Sequence, residues 1–297
     1  MDRLRALEIF IAVAEAGSLA GAAKAMSVSA PTVTRVLGEL EAELGVLLFH
    51  RSTRATTLTD PGRSFLADAR RIVEDYQVSS DAARGAHRAP TGTLRLTAPT
   101  LFGQYYISPV LLDFLDRFPD VVAEAVYLDR VVNLIDEGFD LAVRIGALTD
   151  TNLLAVRVGA VRRVVCADET YLSQNGFPRT PADLARHRII AARHVTSSND
   201  WLFAQGKTAR VKPRVSFSSI SAAIAAAKAG WGVTRLLSYQ IGPDLDAGAL
   251  KIVLEEYEPA PLPVHIVHAE GRSASAKVRA FIDMAAARLR ANSFLNA

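Results

Sequence analysis

Residues Ser18 to Thr59 read SLAGAAKAMSVSAPTVTRVLGELEAELGVLLFHRSTRATTLT, and their punctuation decides the fold. Gly17 stops the helix before them, and Ser18 can cap the next one with its side-chain oxygen. Ala20, Gly21, Ala22, Ala23 and Ala25 fill that second helix, so another helix can approach closely. Ser27-Val28-Ser29 is a tight connection. Ser29 caps a third helix with Pro31 in its first turn, where a missing N–H costs nothing. Val33, Val36 or Leu37, Leu40 and Leu44 form its inward stripe, and Gly45 ends it. A short helix, a tight turn and a second helix with polar first turns is the helix-turn-helix pattern. From Gly45 to Thr59 there is no acid, but there are His50, Arg51 and Arg54, flanked by Leu48-Phe49 and Leu58. This stretch reads as a β-hairpin wing with arginines at its tip.

Upstream, Leu4, Leu7, Ile11 and Ala14 recur at helical spacing, with Phe10 and Val13 widening the stripe. Downstream, Thr59 caps a long helix with Pro61 in its first turn. Phe65, Ala69, Ile72, Tyr76, Ser79 and Ala83 follow at steps of 4, 3, 4, 3 and 4, a heptad seam of about two and a half repeats. Such a seam serves either packing on its own domain or pairing with a second copy. Its place between two globular pieces favours the second. The pattern dissolves at RGAHRAPTG, a linker.

The whole chain has 297 residues, half of them hydrophobic and 22% charged, which excludes disordered and fibrous classes. That length fits more than one domain and buries enough surface to need no staple. Cys166 is the single cysteine, so no internal disulfide forms and a zinc cluster lacks ligands. The first eight residues mix acids and bases without an apolar run behind them, unlike a secretory signal. The longest uncharged run, Leu96 to Leu112, is 17 residues and holds Pro99, Gly103 and Pro109, unlike a membrane span. A soluble cytoplasmic protein is expected. Net charge is +3, yet residues 1–90 balance 11 basic against 11 acidic side chains. A DNA-binding N-terminal part must therefore sort its charge onto one face.

Residues 92–297 alternate strand and helix. LRLTA, Val121 to Leu128, FDLAVRIG, RRVVCAD, RIIAAR, ARVKPRVSF and VHIVHA are strand-like. PVLLDFLDRF, NLIDEG, SISAAIAAAKAG and the closing SASAKVRAFIDMAAARLR are helix-like. The alternation predicts an α/β fold with largely parallel sheets.

The ordered string Phe10, Ala14, Gly17-Ser18, Ala22-Ala23, Ser29, Val33-Thr34-Arg35, Leu40-Glu41, Leu44-Gly45-Val46, Leu48-Phe49, Arg51, Leu58-Thr59 and Gly62 resembles the LysR-type transcriptional regulators. FDLAVRIG, AARH, AGWGV and LDAGAL extend the resemblance through the second half. It implies an all-α winged helix-turn-helix DNA-binding domain (residues 1–58) and a linker and dimerisation helix with hinge (59–91). An α/β effector domain of two subdomains like type 2 periplasmic binding proteins follows. The first subdomain takes 92–161 and 263–297, the second 162–262. The implied protein is a homodimer or homotetramer that binds an interrupted palindrome in promoter DNA, answers to a small effector and contacts RNA polymerase. Two departures bear on the operator. Ala30 stands where the family often has a Gln, and Gly38 lies inside the recognition helix, at a cost of about 1 kcal/mol of helix propensity.

The DNA-facing candidates are Ser27, Ser29, Pro31, Thr32, Thr34 and Arg35, with Arg51 and Arg54 on the wing. Arg35 can fork onto guanine or hold a phosphate, and Thr32 can pack its methyl on thymine. Glu39, Glu41 and Glu43 must face away from DNA or toward the domain's own arginines. For the effector, Thr100 reads either as a plain cap or as a seat for a carboxylate at a helix start, and Phe102 could stack on the ligand. By resemblance the cleft also sees Ile145, Gly146, His194, Thr196, Ser218 and Ser219. A small organic acid is the expected ligand.

Enzyme chemistry finds no footing. Cys166 lies in an apolar strand, the six histidines lack HExxH spacing, and neither a Walker loop nor a GxGxxG after a strand occurs. No cofactor or metal is expected. A transport solute-binding protein and an α/β enzyme with a nucleic-acid appendage are the rivals. The winged N-terminus argues against the first and the missing catalytic constellation against the second.

Overall fold

A computed structural model describes residues 2–51, 56–83, 89–148, 153–192, 199–269 and 274–296. The N-terminal unit is α1 (Arg3–Ala16), α2 (Leu19–Ala25), α3 (Ala30–Leu44), β1 (Phe49–Arg51) and β2 (Thr56–Leu58), followed by the long α4 (Asp60–Ala83). The expected punctuation operates. Gly17 and Gly45 take left-handed φ of 61° and 71°, and the Ser18 and Ser29 side chains accept from the amides of Gly21 and Thr32. Phe10 is the hub of this core. Its ring lies 5.3 Å from Phe49 of the wing and 5.4 Å from Phe65 of α4. Val33, Val36, Leu37 and Leu40 are buried, whereas Leu44 is exposed, because α3 outruns the unit it packs on. Gly62 cannot be replaced freely, since an added Cβ would sit 2.1 Å from the Leu48 carbonyl oxygen. The start of α4 therefore lies flush against the wing.

The second half builds two five-stranded sheets. In chain order the elements are β3 (Gly92–Ala98), α5 (Thr100–Phe102), α6 (Ser108–Arg117), β4 (Val121–Tyr127), β5 (Leu141–Ile145), β6 (Leu154–Val161) and β7 (Arg163–Ala167). Then come α7 (Glu169–Asn175), β8 (Ile189–Ala192), β9 (Asp200–Leu202), β10 (Thr208–Arg210), β11 (Pro213–Phe217) and α8 (Ile220–Lys228). The chain closes with β12 (Val233–Leu237), α9 (Gly242–Asp246), β13 (Lys251–Val253), β14 (Leu262–His268) and α10 (Ala276–Arg290). The first sheet has the order β4-β3-β5-β14-β6 and the second β11-β8-β12-β7-β13. The backbone passes from the first to the second between β6 and β7, and returns between β13 and β14.

Both sheets are mixed rather than largely parallel. Strands β4, β3 and β5 run parallel, as do β11, β8 and β12, but each sheet ends in antiparallel pairs made by the crossing strands. A crossover back into a sheet from its neighbour needs no helix on the face, so direction is free there. The expected helix at NLIDEG is a run of turns. The Asn133 side chain accepts from the amides of Ile135 and Asp136, and this local bonding displaces the helical pattern.

The two sheets share one core at their junction. Phe102 is fully buried with its ring 5.2 Å from that of Tyr239, and the Tyr106 hydroxyl donates to the Tyr239 carbonyl at 3.2 Å. Burial raises the Tyr106 phenol to about 12, so it stays a donor at neutral pH. A single π-turn (Gly103–Ile107) carries Tyr106 inward, and Gly103 packs so tightly on the Tyr127 ring that a Cβ would fall 2.3 Å from it. Across the crossing, Arg162 and Ser238 exchange hydrogen bonds of 3.0 and 2.8 Å, and Arg162 pairs with Glu258 at 3.3 Å.

Candidate nucleic-acid interface and effector site

Ser29, Pro31, Thr34 and Arg35 are exposed along the first turns of α3, with Thr32 half-buried among them. Ser27, just before, holds the left-handed φ of 54° that closes the turn between α2 and α3, and it too is exposed. The hydroxyls of Ser29 and Thr32 lie 2.7 Å apart, and that of Thr34 donates back to the Ala30 carbonyl at 3.1 Å. The Arg35 guanidinium lies 2.6 Å from Glu39, one turn along the same helix. DNA must take that arginine from an acid that is itself half-exposed.

The three glutamates of α3 are each engaged within the domain. Glu43 pairs with Arg3 at 2.7 Å. Glu41 is buried and accepts from the backbone amides of Leu48 and Phe49, at 2.9 and 3.3 Å. A carboxylate on the recognition helix thus fixes the first residues of the wing. β1 and β2 pair antiparallel with Phe49 opposite Leu58, which puts Arg51 at the tip side of the hairpin. Arg51 is described by its backbone alone, and Arg54 lies outside the described residues.

Along the linker helix the predicted seam divides. Phe65 and Ala69 pack into the N-terminal core. Ile72 and Tyr76 are 45% and 57% exposed, a pair of large apolar side chains that nothing in the chain covers among the described residues. Of Ala83 only the backbone is described.

In the effector half, the candidates scatter. The Thr100 amide donates to the Asp129 carboxylate at 2.9 Å, so the seat offered to a ligand carboxylate is taken by one from the chain. Phe102 belongs to the core junction and presents no ring to a ligand. Ile145 packs on the core, and Gly146 donates its amide to the Pro263 carbonyl at 2.8 Å, with φ of 110°. Ser219 caps α8 by accepting from the Ala222 amide. Ser218 lines a cavity of about 410 Å³. His194 and Thr196 lie outside the described residues.

That cavity has walls the sequence reading missed. Arg163, Arg235, Trp201, Asn199, Asp200 and Gln240 face it together with apolar side chains such as Ile190, Ile220 and Leu236. Every residue on its wall lies between Arg163 and Gln240. The signal available was an arginine set inside a strand otherwise fit for burial, V-T-R-L-L.

Comparison with known proteins agrees with this geometry. Residues 4–63 match the family model for the bacterial regulatory helix-turn-helix protein of the lysR family, and residues 87–290 match that for the LysR substrate binding domain. The HTH-type transcriptional activator AaeR of Escherichia coli is 30% identical over 95% of this chain and 93% of its own length. The structure of CrgA, a LysR-type transcriptional regulator from Neisseria meningitidis, is 27% identical and covers 97% of this chain and 99% of that one, with a TM-score of 0.63. Full-length AphB, the Vibrio cholerae virulence activator, is 25% identical, with a TM-score of 0.59 over 95% of this chain and 98% of that one. With a helix-turn-helix unit at one end and a two-sheet α/β domain at the other, both matched along their lengths, the chain belongs to the LysR family of transcriptional regulators.

Proposed function

We propose that this DNA-binding regulator works in the cytoplasm and answers to a small organic acid held between the two effector subdomains. Its DNA-binding unit is residues 1–58, its pairing helix and hinge 59–91, and its subdomains 92–161 with 263–297, and 162–262. Dimers formed through α4 present two α3 helices to an interrupted palindrome. A dimer of dimers lets ligand-driven closure change the angle between DNA-binding pairs, and so the bend in the DNA and its contact with RNA polymerase. One observation carries the DNA half of this reading. The exposed polar start of α3 and the wing are held in one body by the buried Glu41. The open apolar pair Ile72 and Tyr76 supports pairing through α4.

The decisive experiment is titration of the purified chain on its own upstream intergenic DNA and on a random duplex across a salt series. Tighter binding to the upstream DNA, with a steep salt slope on both, is the expected result. Equal weak binding to both would leave an operator elsewhere, or a wing and α3 face without a role, and would count against sequence-specific binding at the upstream DNA.

A further inference from the structure

Two cationic strand residues meet at the cavity wall. In the antiparallel register of β12 and β7, Leu237 faces Arg163 and Arg235 faces Val165. Arg163 and Arg235 are therefore diagonal neighbours on one face of the sheet, about 7–8 Å apart at the backbone, within reach of one shared anion. Neither side chain makes an ion pair with an acid among the described residues. Arg235 instead donates to the Leu202 carbonyl at 3.2 Å and lies 4.8 Å over the Trp201 ring. Burial, and then the like charge of Arg163, push its guanidinium down to about 10, so Arg235 remains cationic at neutral pH. The one acid on the wall, Asp200, is exposed.

Two like charges held half-buried and side by side repel each other and lose hydration, a combination that a bound counter-anion relieves. A guanidinium stacked on an indole is fixed in plane, leaving an N–H edge to fork onto a carboxylate. The nine-residue helix α8 begins at the same wall, with Ser218 and Ile220 lining it, and adds the positive end of its dipole. Ile190, Ile220 and Leu236 offer apolar surface to the rest of a small molecule.

We infer that Arg163 and Arg235 form a carboxylate anchor lying wholly within the second subdomain, which seats the acid group of the effector while its apolar body lies on Ile190, Ile220 and Leu236. This rests on the organic-acid part of the reading above, but it moves the seat from between the subdomains into the second one and adds the atoms that hold the acid.

The test uses the full chain and three probes of one shape: cyclohexanecarboxylate, its neutral amide, and cyclohexylmethylamine. Thermal unfolding of the wild type should rise with the carboxylate at tens of millimolar and not with the other two. In Arg163→Gln, apparent affinity for the carboxylate should drop at least tenfold, with Arg163→Lys between. The midpoint without ligand should not fall, because Arg163 holds no ion pair that folding needs and its loss relieves the repulsion on Arg235. Retained affinity in Arg163→Gln, within twofold, overturns the anchor and leaves the organic-acid reading standing. Stabilisation by the amine or the amide but not by the acid overturns both. No shift with any of the three probes at any concentration overturns the anchor alone.

Discussion

Arg35 is the residue on which sequence reading turns. Its partner in the free protein is Glu39, and an exposed i,i+4 pair of this kind holds only about 0.3–0.5 kcal/mol. DNA can therefore recruit the arginine at little cost. Arg35→Ala should weaken operator binding by about 1–3 kcal/mol while random duplex loses much less, measured by titrating both at matched salt. Equal losses would reduce Arg35 to a phosphate contact. Glu39→Gln should strengthen binding to random duplex a few-fold, since it frees Arg35 and removes an anion from the face; unchanged affinity would show that the pair already opens away from DNA. Cys166 is the opposite kind of residue. Burial raises its thiol to about 12, so at pH 8 it is protonated and shielded. A chromogenic thiol reagent should find no reactive cysteine in the native chain and one after denaturation. Residues whose work is local were legible beforehand: Ser18, Ser29 and Thr59 each cap a helix through the amide three positions on. Glu41 was not, because its partners Leu48 and Phe49 lie beyond a helix end. Nor was the pairing of Arg163 with Arg235, which exists only through strand register.

At the scale of elements, α3 and α4 carry the consequences. Gly38 sits in α3 with ordinary helical conformation and open space where a Cβ would go. Gly38→Ala should stabilise the chain by about 1 kcal/mol, raising the thermal midpoint by a few degrees; a lower midpoint would expose a contact that needs the bare backbone. The heptad seam of α4 was legible as spacing, but spacing could not say where its duties change. Packing shows it: Phe65 and Ala69 serve the domain, and Ile72 and Tyr76 face out. Ile72→Asp with Tyr76→Asp should leave the fold intact by circular dichroism and shift the chain toward monomer in sedimentation. Persistence of the oligomer would place the pairing surface elsewhere. NLIDEG has helical composition and no helix, because one asparagine side chain satisfies the amides first. Likewise Phe102 has the look of a stacking platform in sequence, and only the return of Tyr239 from far along the chain makes it core.

For the whole molecule, the two-body plan was legible from the break at the linker and the change of periodicity. The mixed direction of the sheets was not, since it follows from where the chain crosses rather than from any strand's own residues. The aromatic junction of Phe102, Tyr106 and Tyr239 has a thermodynamic meaning. Two lobes joined through one continuous core cluster, beside the smaller clusters that each keeps to itself, are expected to melt together. Calorimetry of the chain should accordingly show the effector half unfolding in one cooperative transition, with calorimetric and van't Hoff enthalpies in agreement. A molecule gripping a single lobe then protects both, and its binding energy is felt at the far sheet as resistance to melting.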